Sequence, residues 1–245
     1  MFYIVCNIIM NEIGKVIVFD LDQTLGCFNE IGIFWNALNK TMNYHTNQYF
    51  FEVMDTFQEF LRPKIFILIK TILHEKSLGK CHKIIMYTNN SGPKQWAQMI
   101  ADYFEYVFGT KVFEVIHAFK YSNSENNLCK RNENKNIIDF LCCAKLSPRT
   151  KICFFDDVYH PLMKVPNVYY IKVKPFYYSI PYNIMAERYR DIYIDLDEHP
   201  TFVEDIVSHM KKYTYNVINK SLIETNLDEI VGKQMMTHVN IFLNK

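Results

Sequence analysis

The chain has 245 residues, of which 49% are apolar and 22% are charged, with a formal net charge of +1 at pH 7. This length and apolar content suit one folded domain with additions and argue against disorder. The balanced charge gives no electrostatic case for a nucleic-acid or membrane-surface partner. The seven cysteines are scattered without a CxxC spacing, which argues against zinc and disulfides and favours reduced thiols in the cytoplasm or nucleus.

Residues 1–14 begin the chain with an apolar stretch that invites comparison with a signal peptide. The stretch lacks a basic start and a small-residue cleavage site, and it is too short to cross a bilayer. No other segment approaches transmembrane length, so we expect no membrane association. We expect residues 1–14 to form an extension or an extra edge strand, with either Met1 or Met10 as the start of the functional chain.

Apolar runs alternate with helical periodicities along residues 15–180, which predicts a parallel sheet covered by helices on both faces. The predicted strands are Lys15–Phe19, Lys83–Tyr87, Val112–Phe119, Ile152–Phe155 and Val168–Lys172. Between successive strands, helices are expected to begin near Pro63, Pro93 and Ile137. Residues 120–136 are polar and are expected to form a surface loop.

Two segments are expected to add to the core formed by residues 15–180. Residues 27–62 are aromatic and rich in Asn, and we expect a flap or small insert with one or two short helices. Residues 181–245 show mostly helical periodicity, which predicts a helical C-terminal region packed on the core. The predicted fold class is therefore α/β, a three-layer sandwich with a central parallel sheet, a small flap insert and a helical C-terminal addition.

The segment Asp20-Leu21-Asp22-Gln23-Thr24 carries the strongest chemical signal in the chain, because it directly follows a buried strand. Residues two apart in an extended strand point to the same face, so the carboxylates of Asp20 and Asp22 lie close together. They repel each other unless a cation or a proton compensates them. This arrangement suits a hard metal ion, with one carboxylate free to attack and the other to handle a proton.

Polar side chains also follow two other predicted strands, where open α/β sheets place their sites. Thr88 and Asn89 follow the second strand, and exposed backbone N–H groups before the helix at Pro93 suit a phosphate oxygen. Asp156 and Asp157 follow the fourth strand and offer further carboxylates for a metal ion. We therefore expect these side chains to join the Asp20–Asp22 pair at one edge of the sheet.

A cation is expected near these carboxylates to neutralise an anionic substrate. Lys135 is the preferred candidate because it opens the helix that leads to the fourth strand. Lys130 and Arg131 lie in the same loop and are alternatives for this role. A second Asp-x-Asp sequence, at Asp195 and Asp197, lacks the following threonine, and we expect it to have no catalytic role.

The order of these motifs resembles that of the haloacid-dehalogenase-like (HAD) phosphatase superfamily. The matching residues are the DxDxT sequence at 20–24, Thr88, Lys135 and the Asp-Asp pair at 156–157, and the resemblance covers residues 15–174. With Arg62-Pro63 before a helix and only a short insert between the first two motifs, the chain is similar to the branch of RNA-polymerase C-terminal-domain and nuclear-envelope phosphatases. Compact members of that branch occur in large DNA viruses.

The resemblance implies a Mg²⁺-dependent phosphatase in which Asp20 attacks phosphorus to form an aspartyl-phosphate. It implies that Asp22 protonates the leaving oxygen and then activates the water that clears the intermediate. It further implies phosphoryl-oxygen binding by the side chains Thr88, Asn89 and Lys135, and metal binding by the residues Asp20, Asp22, Asp156 and Asp157.

The short span between Thr24 and Thr88 leaves no room for a large cap, so the resemblance implies an open site. An open site suits phosphoserine or phosphothreonine in an extended peptide, which makes a phosphorylated protein the expected partner. A polynucleotide end would also fit such a site, although the balanced charge disfavours it. The non-enzymatic alternative is a binding or scaffold protein that kept the fold without the activity.

Overall fold

The computed structural model describes residues 14–44, 46–90, 92–93, 95–117, 134–195, 197–213 and 217–245. Within these ranges five strands form one sheet, and every neighbouring pair runs parallel. The strands are β1 Lys15–Phe19, β2 Lys83–Thr88, β3 Glu114–His117, β4 Lys151–Asp156 and β5 Val168–Lys172. Their order across the sheet is β3-β2-β1-β4-β5.

Helices separate the strands and follow the last one. They are α1 Asn29–Met42, α2 Asn47–Thr56, α3 Ile65–Ser77, α4 Trp96–Phe108, α5 Ile137–Ala144, α6 Tyr182–Tyr193, α7 Phe202–Met210 and α8 Leu222–Asn244. The α/β fold class, a three-layer sandwich with a central parallel sheet, is therefore confirmed.

Most predicted elements agree with the structure to within a few residues. β2 and β4 extend one residue further than predicted at their carboxyl ends and so include Thr88 and Asp156, and β4 also begins one residue earlier. The third strand begins at Glu114, two residues later than predicted, and its expected end lies outside the described residues. Residues 1–13 and the predicted loop up to residue 133 also lie outside them, as do the alternative cations Lys130 and Arg131.

The chain divides into two compact units. The first contains the residues up to Leu25, Lys64–Pro175 and Ile230–Lys245, and it includes the whole sheet. The second contains Gly26–Pro63 and Phe176–Glu229, and it is helical. The domain bounds expected from the sequence, 15–180 and 181–245, remain a prediction.

The segment expected to form a flap, residues 27–62, contains α1, α2 and a short 3-10 helix at Gln58–Phe60. An antiparallel bridge between Gly26 and Leu61 closes its two ends. Its aromatic side chains pack inside the second unit, where the Phe34 ring meets the rings of Phe57 and Tyr189 edge to face. The aromatic content of this segment therefore builds a core.

The sheet has its most apolar strands at its centre because both of its faces are covered. Val16, Ile17, Val18 and Phe19 of β1 are all fully buried, and the Phe19 ring stacks on Phe155 of β4 at 5.0 Å. Since β1 lies between β2 and β4, the carboxyl ends of these three strands meet at one edge of the sheet. That edge carries the candidate site.

Candidate active site

A buried lysine stands at the centre of the site. The Lys135 ammonium nitrogen lies 2.5 Å from Oδ1 of Asp20 and 2.7 Å from Oδ2 of Asp156, and the side chain is only 1% exposed. It lies 5.5 Å from the centre of the Tyr87 ring and 5.6 Å from that of Phe154. The aromatic rings and the two carboxylates together hold the charge in one position.

Three carboxylates converge at the same edge. Oxygens of Asp20, Asp156 and Asp157 all lie within 4.8 Å of one another, and all three residues are buried. Carboxylate oxygens at this spacing are suitable ligands for a hard divalent cation. Asp156 is further fixed by the backbone N–H of Val158, which donates to its Oδ1 at 2.8 Å.

The carboxylate of Asp22 has a different partner. Its Oδ2 accepts a hydrogen bond from Nδ2 of Asn90 at 2.6 Å. The Asn90 amide oxygen accepts the backbone N–H of Gly92 at 2.8 Å, and the backbone N–H of Asn90 donates to the Thr88 hydroxyl at 2.9 Å. The sequence does not single out Asn90, because its position two residues beyond Thr88 is the only feature that distinguishes it.

A strained turn follows Asp22 and leads to Thr24, which contacts the chain just after the fourth strand. Gln23 has φ 61°, in the left-handed region that residues other than glycine rarely adopt. This turn brings in the fully buried Thr24, whose hydroxyl accepts the backbone N–H of Asp157 at 3.1 Å and donates to Oδ1 of Asp157 at 3.3 Å. The threonine of the DxDxT sequence thus orients one of the three converging carboxylates.

The residues expected to bind phosphate lie at this edge as well. Thr88 ends β2 and is buried, and its hydroxyl keeps an O–H donor while accepting from Asn90. Asn89 follows directly and is half-buried. Phosphate binding by Thr88, Asn89 and Lys135 stays a prediction.

His160 and Tyr170 support the loop after β4. The His160 Nε2 atom lies 3.5 Å from Oδ2 of Asp156, and burial lowers the pKa of this imidazole. The Tyr170 hydroxyl accepts the backbone N–H of His160 at 3.1 Å and donates to the Val158 carbonyl at 2.7 Å. These contacts fix the path of the chain past Asp156.

The electrostatics of the site favour added positive charge. Four carboxyl groups, those of Asp20, Asp22, Asp156 and Asp157, interact with the ammonium of Lys135. Burial raises the pKa of Asp20 to about 7, against the attraction of Lys135, and burial also raises the pKa of Asp22 and of Asp157. Burial opposes the charge on Lys135, but the adjacent carboxylates outweigh it and raise its pKa.

No protein family, curated protein or solved structure matches this chain. The resemblance to the HAD superfamily therefore stays a prediction from the motifs. Among the helices of the described ranges, none combines the length and the apolar content needed to cross a membrane.

Proposed function

We propose that this chain is a HAD-type phosphatase that uses Mg²⁺ and hydrolyses phosphomonoesters through an aspartyl-phosphate on Asp20. The observation that carries the proposal is the buried ammonium of Lys135 between the carboxylates of Asp20 and Asp156. Apolar residues of similar volume often stabilise a fold better than a buried ion pair, because charges lose their hydration on burial. A buried cluster with raised carboxyl pKa values therefore supports a catalytic role.

The donor atoms at the site fit the proposed metal. Asp20, Asp156 and Asp157 offer hard carboxylate oxygens, the ligands that Mg²⁺ prefers, and the resemblance adds the backbone carbonyl of Asp22. When bound, the ion would neutralise part of the charge on a phosphate dianion and on the attacking carboxylate. Lys135 supplies a further positive charge beside the same atoms, which suits the charge that develops on the phosphoryl oxygens.

In the first half of the proposed reaction, Asp20 is the nucleophile. A carboxylate oxygen of Asp20 forms a bond to phosphorus while the bond from phosphorus to the leaving oxygen breaks. The protonated carboxyl of Asp22 gives its proton to that oxygen, so an alcohol leaves and Asp22 becomes a carboxylate. Burial raises the pKa of Asp22, which favours the protonated form that this step needs.

In the second half, water removes the phosphoryl group from Asp20. The Asp22 carboxylate takes a proton from the water while the water oxygen attacks phosphorus. The bond between phosphorus and Asp20 breaks, which releases inorganic phosphate and restores the Asp20 carboxylate. Asp22 is again protonated, so the site is ready for the next substrate.

A phosphorylated protein segment is the proposed substrate. The chain directly after Asp157 exposes three large apolar side chains, Val158, Tyr159 and Leu162, and the Tyr159 ring is held against Tyr170 at 5.7 Å. Exposed apolar side chains beside a site suit contact with a peptide. A polynucleotide end, the alternative substrate, would instead favour a groove of basic side chains along its backbone.

Hydrolysis of an aryl phosphate by the purified protein, with and without Mg²⁺, tests the reaction class. We expect Mg²⁺-dependent turnover that is lost in Asp20→Asn and kept in Asp195→Asn, a matched change in the second Asp-x-Asp sequence. Turnover that survives Asp20→Asn would contradict the proposal. Absence of turnover in the wild type would favour the scaffold alternative. A phosphoserine peptide compared with a phosphorylated oligonucleotide then separates the two substrate classes.

A further inference from the structure

We infer that Asn90 is a positioning residue that fixes the proton-transferring carboxyl group of Asp22. The inference rests on the proposed function, because it gives Asp22 a partner that determines how it delivers its proton. Its basis is the hydrogen bond from Nδ2 of Asn90 to Oδ2 of Asp22 at 2.6 Å.

The orientation of the Asn90 amide is determined by its other contact. The backbone N–H of Gly92 can only donate, so the atom of Asn90 that it meets at 2.8 Å must be the amide oxygen. The amide nitrogen therefore faces Asp22. The backbone N–H of Asn90 donates to the Thr88 hydroxyl, which ties the residue to the end of β2.

The direction of this hydrogen bond determines where the proton of Asp22 is held. An amide NH₂ group donates and cannot accept, so Oδ2 of Asp22 is an acceptor in both protonation states. The carbonyl oxygen of a protonated carboxyl group is a better acceptor than its hydroxyl oxygen, so the contact with Asn90 favours the proton on Oδ1. Oδ1 is then the atom that protonates the leaving oxygen, and Asn90 prevents the carboxyl group from turning the wrong oxygen toward the substrate.

Gly92 leaves the space that this arrangement needs. A Cβ atom added at Gly92 would lie 2.8 Å from Oδ1 of Asn90, closer than such atoms approach in real structures. Gly92→Ala should therefore displace the Asn90 amide while leaving all the polar groups of the site in the chain. It gives an independent way to disturb the contact between Asn90 and Asp22.

Two substrates with different leaving groups separate a positioning role from direct phosphate binding. An alkoxide needs a proton as it leaves, whereas a nitrophenolate leaves readily without one. If Asn90 positions the proton donor, its loss should slow leaving-group release from an alkyl phosphate much more than from an aryl phosphate. The second half of the reaction is common to both substrates, so the comparison must be made on the first turnover. If Asn90 instead bound the phosphoryl group, the first turnover of both substrates would be affected alike and both half-saturating substrate concentrations would rise.

The experiment measures leaving-group release in the first turnover, over a range of substrate concentrations, for a phosphoserine peptide and for p-nitrophenyl phosphate with Mg²⁺ present. We expect Asn90→Ala and Gly92→Ala to lower the first-turnover rate for the phosphoserine peptide by about a hundredfold, with a much smaller loss for the aryl phosphate and an unchanged half-saturating substrate concentration. The isosteric Asn90→Asp should show the same selective loss, because it keeps the volume and removes the donor.

Asn167→Ala is the matched control, because it removes an asparagine whose amide donates to the Thr150 carbonyl at 2.9 Å away from the site. It should leave the ratio of the two first-turnover rates unchanged. An equal loss of first-turnover rate with both substrates in the Asn90 and Gly92 variants would overturn the inference while leaving the proposed function intact. Absence of wild-type turnover with either substrate would remove the proposed function, and this inference with it.

Discussion

Lys135 is the residue on which the balance of charge at the site depends. Lys135→Met would keep most of the side-chain volume but leave the Asp20 and Asp156 carboxylates buried without their cation. We expect the free energy of unfolding without Mg²⁺ to fall by about 3 kcal/mol, together with a loss of phosphatase activity. Urea unfolding and aryl phosphate hydrolysis measure the two effects. Lys164→Met, a change at an exposed lysine, should alter neither.

Thr24 should contribute to stability and to Mg²⁺ affinity through its hydrogen bonds with Asp157. Thr24→Val keeps the shape but leaves the buried N–H of Asp157 without its hydroxyl acceptor. We expect the free energy of unfolding to fall by about 1–3 kcal/mol. We also expect Mg²⁺ affinity, measured by calorimetry, to fall by about tenfold or more, because residues that orient ligands tune metal binding. Thr71→Val, which loses only a hydrogen bond inside its own helix, should leave Mg²⁺ affinity unchanged.

Some of the candidate site could be predicted from local pattern and some could not. Asp20 and Asp22 are visible because an apolar strand ends in two carboxylates at the spacing of one strand face. Lys135 had competitors in Lys130 and Arg131, since a loop sequence does not show which side chain turns inward. The contact of Asn90 with Asp22 joins residues 68 positions apart, and the periodicity of a sequence predicts only local structure, not contacts at this separation.

α5 connects the lysine of the site to β4, and its end carries local strain. Lys145 adopts φ 51° after the last turn, where its N–H bonds to the Cys142 carbonyl and that of Leu146 bonds to the Leu141 carbonyl. This pairing is a Schellman motif, in which glycine is preferred at the position of Lys145. The helix therefore ends in a conformation that its residue type disfavours.

Lys145→Gly should stabilise the protein, because it removes the Cβ that makes a left-handed conformation costly. We expect the free energy of unfolding to rise by about 1 kcal/mol, with unchanged phosphatase activity. Lys145→Ala is the control, since it also removes the charge and the long side chain but keeps the Cβ. Equal effects of the two changes in urea unfolding would show that strain at this residue is not the cause.

The strands were predictable because a parallel sheet covered on both faces needs continuous apolar runs, as in β1 and β4. The bounds of β5, Val168–Lys172, agree with the prediction. The order of the strands was not predictable in the same way, since each apolar run fits either side of its neighbours. That order decides that β1 lies between β2 and β4 and so brings Asp20 beside Asp156.

Stability of the whole protein should depend on pH through the buried carboxyl groups. Burial raises the pKa of Asp20 from 3.8 to about 7. Between these values the folded state binds the proton more tightly than the unfolded state, so the contribution of Asp20 to stability falls as the pH rises. As the pH rises through this range, we expect the Tm of the metal-free wild type to fall relative to that of Asp20→Asn. We expect Mg²⁺ to raise the Tm of the wild type again at the upper end of the range.

Thermal unfolding of both proteins over this range, with and without Mg²⁺, measures the effect. A difference in Tm between wild type and Asp20→Asn that stays constant with pH would show that Asp20 keeps its ordinary pKa. A response to Mg²⁺ of equal size in the variant would show that Asp20 is not a ligand.

The proposed mechanism depends on a phosphoryl group carried by Asp20, which the Asp22→Asn variant should trap. With p-nitrophenyl phosphate and Mg²⁺, the good leaving group needs little protonation, while the variant lacks the base that activates water. We predict a burst of one nitrophenolate per protein molecule, and an acid-quenched sample whose peptide containing Asp20 has gained the mass of one phosphoryl group. A burst that persists when Asp20→Asn is combined with Asp22→Asn, or a phosphoryl group found on another residue, would contradict this mechanism.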